Sequence, residues 1–429
     1  MPLDNQILSD GVRFLELRDG RFKTAHLTAA LFLPLHEETA SENALLPFVL
    51  HRGCAAYPDF TALQKRLNQL YGARVSADIS RVGEAQVLLL RAVCLDDRYA
   101  LAGEKVAADC AMMLRDMLFV PALENGLFRR EDVGQERRCL TEEIEAEINE
   151  KRLYARHQCE KLICGGEPYA VSRLGTAERV SALAPEAVTA AWKRVLETAR
   201  AQFIYQGGGD GSAVAAAFRE GFAGIKRDPA MCGIVPAIKR EKLLEKIDHM
   251  AVNQCKLVMG FTVNDPEGQP LHENMAARLM NAVFGATPHS MLFRNVREKL
   301  SLCYYCASSV DRHKGVMLVD SGVEEDKVEE AKSEILRQLK LLQQGIFTDE
   351  DLESAKKSLG NQFGTIDDLQ STRALWYMGQ GLDPDMLTPE QSLDQLNDVT
   401  KEQVIAAANM VSLSGIYLLK PNGEEEVLS

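Results

Sequence analysis

The chain has 429 residues, which predicts two or three domains, and its 46% hydrophobic and 26% charged content is that of an ordinary globular protein. Disordered, collagen-like and low-complexity classes are excluded. Acidic residues outnumber basic ones by 62 to 49, a net charge of −13, which argues against a protein built to grip nucleic-acid phosphates and favours basic ligands.

In chain order, strands are expected over Val12–Leu17 and Phe22–Leu33, separated by the turn Arg18-Asp19-Gly20-Arg21. Leu63, Leu67 and Leu70 predict a helix over Asp59–Tyr71, stopped by Gly72. Two strands follow over Val75–Leu95 with a turn at Gly83, then a helix over Arg98–Leu118. A long charged helix is expected from Glu131 to about Cys164, ending at Gly165-Gly166. After it come a helix over Val188–Thr198, a strand over Gln202–Tyr205 and a helix over Ser212–Phe222.

The Pro- and Gly-containing stretch from Lys226 to Pro236 reads as a linker. Beyond it the same order returns. Strands are expected over Met250–Val263, a helix over Glu273–Phe284, strands over Leu302–Ser308 and Val316–Ser321, and a helix over Asp326–Gln344. The rest is a helix over Asp349–Leu382 broken near Gly364, a helix over Lys401–Met410 and a strand over Gly415–Leu419. The repetition predicts a duplicated α+β architecture with domains 1–228 and 241–429. No apolar run approaches the about 18 residues of a membrane helix, and the start at Met1 shows no apolar signal core. The expected location is therefore cytoplasmic, with ten reduced and mostly buried cysteines.

Few constellations carry chemistry. Glu136, Glu143 and Glu147 share one face of the long helix, a pattern that a solvated acidic face explains. No two of the eight histidines lie within four residues, so neither His-Glu-x-x-His nor its inversion occurs. Cys303-Tyr304-Tyr305-Cys306 falls in an expected strand, where residues three apart point to opposite faces and the thiols should not meet. Gly207-Gly208-Gly209-Asp210-Gly211 lacks the spacing of a phosphate loop and reads as a plain turn, and no Gly-x-Ser-x-Gly elbow is present.

Taken whole, the chain resembles the pitrilysin and mitochondrial-processing-peptidase family of zinc peptidases, the inverzincins. The most specific stretch runs from Ser290 to Tyr304 and is similar to the family's second-domain signature, Leu-Phe followed by Arg-Glu-Lys and then Leu-x-Tyr. The resemblance implies that Arg297 and Tyr304 contact substrate backbone. Glu136-Arg137 and, seven residues on, Glu143-Ile144 resemble the family's Glu-Arg…Glu-Ile/Leu helix. There the second acid is the third zinc ligand and the first a supporting acid.

Anchored on Arg52-Gly53, the two histidine ligands of the family fall on Ala44 and Phe48, and the general-base Glu falls on Pro47. Ala, Pro and Phe offer neither lone pairs nor a proton acceptor, and Glu143 alone does not hold zinc. The resemblance is to the non-catalytic bacterial YmfF-like group, with Glu150–Ala155 and Ala155–Val180 in support. It implies two processing-peptidase-like domains, each a mostly antiparallel sheet with helices on one face, and a pocket between them. It further implies no catalytic residue, no bound metal, and a subunit that binds peptide and completes the chamber of a similar-sized, motif-bearing zinc peptidase, as a dimer without nucleic acid or membrane. The competing expectation is a stand-alone metallopeptidase with relocated ligands or a thiol enzyme.

Overall fold

The computed structural model describes residues 4–264, 271 and 274–422. Its strands are β1 (Asp4–Ser9), β2 (Val12–Arg18), β3 (Thr24–Pro34), β4 (Arg74–Val82), β5 (Ala85–Leu95), β6 (Leu123–Glu124), β7 (Leu127–Phe128), β8 (Arg200–Gly207), β9 (Leu244–Met250), β10 (Cys255–Val263), β11 (Cys303–Asp311), β12 (Val316–Val323) and β13 (Val411–Pro421). The first eight α-helices are α1 (Ala40–Leu50), α2 (Phe60–Gln69), α3 (Val106–Phe119), α4 (Arg130–Ala146), α5 (Lys151–Ile163), α6 (Ala177–Ser181), α7 (Pro185–Thr198) and α8 (Ser212–Gly221). They are followed by α9 (Met275–Asn281), α10 (Val328–Gln343), α11 (Asp349–Thr365), α12 (Gln370–Met378), α13 (Pro389–Asn397) and α14 (Lys401–Asn409).

Two larger sheets form, in the orders β1-β2-β8-β3-β5-β4 and β11-β12-β10-β13-β9. Read from opposite ends, β2-β8-β3-β5-β4 and β9-β13-β10-β12-β11 are the same topology. In each, the first strand of the half pairs in parallel with the last, and every other neighbour is antiparallel. The fold is thus the expected duplicated, mostly antiparallel α+β architecture; β1 is an addition to the first half.

The chain condenses into two compact units that differ from its halves. One comprises Met1–Glu145, Val171–Gly233 and Asp368–Met386; the other comprises Ala146–Ala170, Ile234–Asp367 and Leu387–Ser429. The boundary at Gly233/Ile234 falls in the expected linker, but the split into 1–228 and 241–429 misses two exchanged segments. The reason is sheet burial. β3 and β5 read as nearly continuous apolar runs because both faces of their sheet are covered. On one face Leu27, Leu31 and Leu90 pack with Leu45, Leu114 and Phe218. On the other, Phe32, Leu89 and Ile204 pack with Tyr377 and Met378 of α12.

Polar anchors hold the exchanged segment in place. Gln206 donates to the Gln370 carbonyl at 2.8 Å, Gln202 to the Tyr377 carbonyl at 3.1 Å, and Arg373 pairs with Asp19 at 3.0 Å. In the second unit, Ala155, Cys159 and Ile163 of α5 pack on Val258, Leu318 and Tyr417. Arg152 and Arg156 of α5 both bond Asp320, at 2.5 and 2.7 Å.

The local expectations need four adjustments. The long charged helix is two helices, α4 and α5, interrupted at 147–149 where the chain leaves the first unit. The helix expected from Arg98 begins at Val106, after the loop in which Gly103 takes φ +77°. The helices α1, α6 and α13 lie outside the expected elements. The expected start of α9 at Glu273 lies outside the described residues, and that helix continues from Asn281 as a π-type turn over Ala282–Ala286.

Candidate functional site

In the first unit, α1 carries the three positions at which the resemblance puts a zinc site. Ala44 is wholly buried, Pro47 is buried within the helix, and Phe48 lies partly buried against the same core. The helix continues past Pro47 to Leu50, and the His51 and Arg52 amides donate back to the Pro47 and Val49 carbonyls, respectively. The exit at Gly53 admits no side chain, because a Cβ there would stand 2.5 Å from the Tyr57 carbonyl oxygen. These positions therefore form a packed helix face. They present a methyl, a ring and a phenyl, and none can ligate zinc.

Beside that helix, Arg52 meets two carboxylates. Its guanidinium lies 3.3 Å from Asp132 and 3.4 Å from Glu136, both on α4, and sits over the Phe60 ring at 5.3 Å. Asp132 also binds Arg129 at 2.6 Å. Burial pushes the Glu136 carboxyl above its ordinary range and Asp132 adds to this, while Arg52 opposes it. Glu143, two turns further along α4, is exposed. His51 is nearest in sequence, but its Nε2 is engaged with the Val75 carbonyl at 3.0 Å. The structure brings Glu136 to an arginine and leaves Glu143 in solvent. Among the described residues, no three His, Cys, Asp or Glu side chains are grouped to hold a metal ion.

Arg52 enters the resemblance only as an anchor, and Asp132 lies outside it. Asp132 nevertheless has a sequence signal: it precedes Glu136 by four residues, so the two acids share a helix face. Their cation comes from another element and had no local signature.

In the second unit, Arg297 sits in the π-type turn Phe293–Lys299, exposed, with its guanidinium over the Phe293 ring at 4.6 Å. Among the described residues no carboxylate pairs with it. The chain then reverses through Ser301, whose φ of +50° is left-handed, and enters the edge strand β11. Here the register slips: Cys303 faces Val323, but Tyr305 faces Gly322. Tyr304 is the inserted residue of a β-bulge, and 78% of it is exposed. Arg297 and Tyr304 are thus neither paired nor packed away.

The bulge also overturns the expectation that Cys303 and Cys306 point apart. Opposite residues 323 and 321, which are two apart, the two cysteines share a face of the sheet. Contact with the Cys306 thiol is the largest influence on Cys303, whose thiol is held below its ordinary range although burial opposes this; Arg297 contributes in the same direction. The Cys306 thiol is pushed well up by that contact and by burial. Eight of the ten cysteines are buried, Cys303 is half-buried and Cys139 is exposed.

The glycine-rich turn after β8 is the expected plain turn. Its amides donate to carboxylates, Gly208 to Asp96 at 2.6 Å and Gly211 to Glu16 at 3.0 Å. A turn lined by acids repels phosphate. No helix among the described residues is long and apolar enough to cross a membrane.

Three comparisons bear on this arrangement. Residues 182–359 match the protein family described as the Peptidase M16 inactive domain. Over 401 residues, 93% of each chain, the sequence is 30% identical to the probable inactive metalloprotease YmfF of Bacillus subtilis strain 168. A crystal structure of a conserved protein from Enterococcus faecalis V583 superposes with a TM-score of 0.88 at 24% identity, over 98% of this chain and 99% of that one. The peptidase M16 inactive domain of Pseudomonas fluorescens superposes at 0.77 with 17% identity, over 99% of both.

Proposed function

The chain belongs to the M16 metallopeptidase family as a non-catalytic member, and from that premise we propose that it binds peptide and completes the chamber of an active zinc-peptidase partner. The observation that carries the reading is the contrast between the two halves. The zinc positions Ala44, Pro47 and Phe48 are given over to packing, and Glu136 is neutralised by Arg52. Arg297 and Tyr304, by contrast, remain exposed at the entrance of an edge strand. A planar guanidinium offers fixed donors to peptide carbonyls, and an exposed tyrosine offers a ring and a hydroxyl. Such exposure has no folding rationale and fits a surface used in recognition.

The proposed partner is a chain of similar size carrying His-x-x-Glu-His, which supplies the metal and the water-activating acid. The inactive subunit supplies peptide contacts, holds no zinc of its own, and works in the cytoplasm without nucleic acid or membrane. Mixing the two purified chains should raise peptidase activity well above that of the motif-bearing chain alone. Full activity of that chain by itself, with no complex by size-exclusion chromatography at micromolar concentration, overturns the partnership.

A further inference from the structure

The peptide reading leaves the Cys303/Cys306 pair unused, although the pair borders both proposed contact residues. The bulge at Tyr304 puts the two cysteines opposite residues 323 and 321. On that shared face the two thiol side chains are in contact, which closure of a disulfide requires. One thiol is half-buried and within reach of solvent, the other is buried behind it, and the cation of Arg297 lies close to the first. An accessible attacking thiol, a resolving thiol on the same face and a nearby positive charge are the components of a redox-responsive site.

We propose that Cys303 and Cys306 form a reversible dithiol–disulfide site, closed by a hydroperoxide-class oxidant, and that closure alters how the bulge presents Tyr304. The Cys303 thiolate attacks the outer oxygen of the hydroperoxide, breaking the O–O bond. It becomes a sulfenic acid, and the alkoxide or hydroxide leaves with a proton from solvent. The Cys306 sulfur then attacks the Cys303 sulfur, and the sulfenic oxygen leaves as water carrying the Cys306 proton. Two thiols lose two protons and two electrons; the hydroperoxide is reduced to an alcohol, or to water, plus one water. A dithiol reductant reverses the step. Lower thiol basicity at Cys303 suits it to the attacking role.

The structure carries its own controls. Cys94 and Cys110 also adjoin, and that contact and burial drive the Cys94 thiol up, but both are deeply buried and should resist. Cys139 is exposed and should stop at single-thiol products.

The test uses the full chain, treated with hydrogen peroxide, alkylated, digested with trypsin and weighed. Cleavage after Lys299 and Arg312 leaves both cysteines in one peptide, 300–312. That peptide should lose two hydrogen masses, refuse alkylation and recover both properties after dithiothreitol. In Cys306→Ser, a Cys303 sulfenic acid should instead accumulate and be trapped by dimedone. Two alkylatable thiols in 300–312 while Cys139 is oxidised overturn the proposal, as does Cys303 halting at a single-thiol product in the unsubstituted chain.

The consequence for Tyr304 rests on the peptide reading and has its own measurement. A fluorescein-labelled basic peptide should bind the reduced and oxidised forms with affinities differing several-fold. Equal affinities overturn the coupling. Binding in neither form overturns the coupling together with the peptide reading, while the mass result alone decides the disulfide.

Discussion

Replacing Arg52 with alanine tests whether this arginine balances the charge of Asp132 and Glu136. Arg52 is 29% exposed and lies against Asp132 and Glu136, which are 9% and 16% exposed. A fully exposed pair contributes at most about 1 kcal/mol, whereas stranding one charge of a buried pair costs about 3–5 kcal/mol. Asp132 keeps Arg129 at 2.6 Å, so the uncompensated charge falls on Glu136 alone. The loss of Arg52 from the Phe60 ring adds a fraction of a kcal/mol. Arg52→Ala should therefore cost about 2 kcal/mol, a fall of roughly 4–8 °C in Tm for a domain of this size.

The pH dependence follows from the direction of the Glu136 shift. Burial holds its carboxyl above the ordinary range, so the folded state takes up a proton more readily than the unfolded one and ionised Glu136 opposes folding at neutral pH. Without Arg52 that cost grows, and it is relieved as the pH falls through the folded value. The deficit of Arg52→Ala should be largest near pH 7 and shrink towards about pH 5, and Glu136→Gln in the same chain should recover most of it. Differential scanning calorimetry of the two variants at several pH values reads this directly. A Tm within about 1 °C of the unsubstituted chain, or a deficit constant with pH, refutes the argument. So does a rise in Tm of Arg52→Ala on adding zinc, which would mean that the arginine had masked a working metal site.

Asp19 gives an acid-stability prediction of opposite sign. Burial pushes its carboxyl up, but bonds from Arg21 and Arg373 override this and hold it at about 2. It therefore contributes about 2 kcal/mol at neutral pH, fully present above the unfolded value near 3.8 and lost as the pH falls towards about 2; Asp19→Asn should flatten this part of the acid-unfolding curve. Arg297→Ala and Tyr304→Ala should each leave Tm within about 1 °C, because both residues are exposed, yet weaken binding of a labelled peptide; loss of stability with unchanged binding would reverse the assignment. Elemental analysis of the purified, undialysed chain should find zinc well below one ion per chain, and stoichiometric zinc would sink the reading of Ala44, Pro47 and Phe48.

The sequence by itself determined the fold class, the duplication and the absence of a His-x-x-Glu-His motif. These follow from local patterns: strand alternation, helical spacing and the identity of three side chains on one helix. It also brought out Arg297 and Tyr304 through a compact signature. Tertiary structure decided what depends on distant chain meeting distant chain. The exchange of 146–170 and 368–386 between units arises because each sheet has a second apolar face to cover, and no local period says which segment will cover it. The partnership of Arg52 with Asp132 and Glu136 spans some 80 residues of sequence. The Cys303/Cys306 pair shows the limit most sharply. Strict alternation sends the thiols to opposite faces, but one inserted residue at Tyr304 restores them to the same face. A bulge is set by how β11 pairs with its neighbour, so the residues of β11 alone do not disclose it.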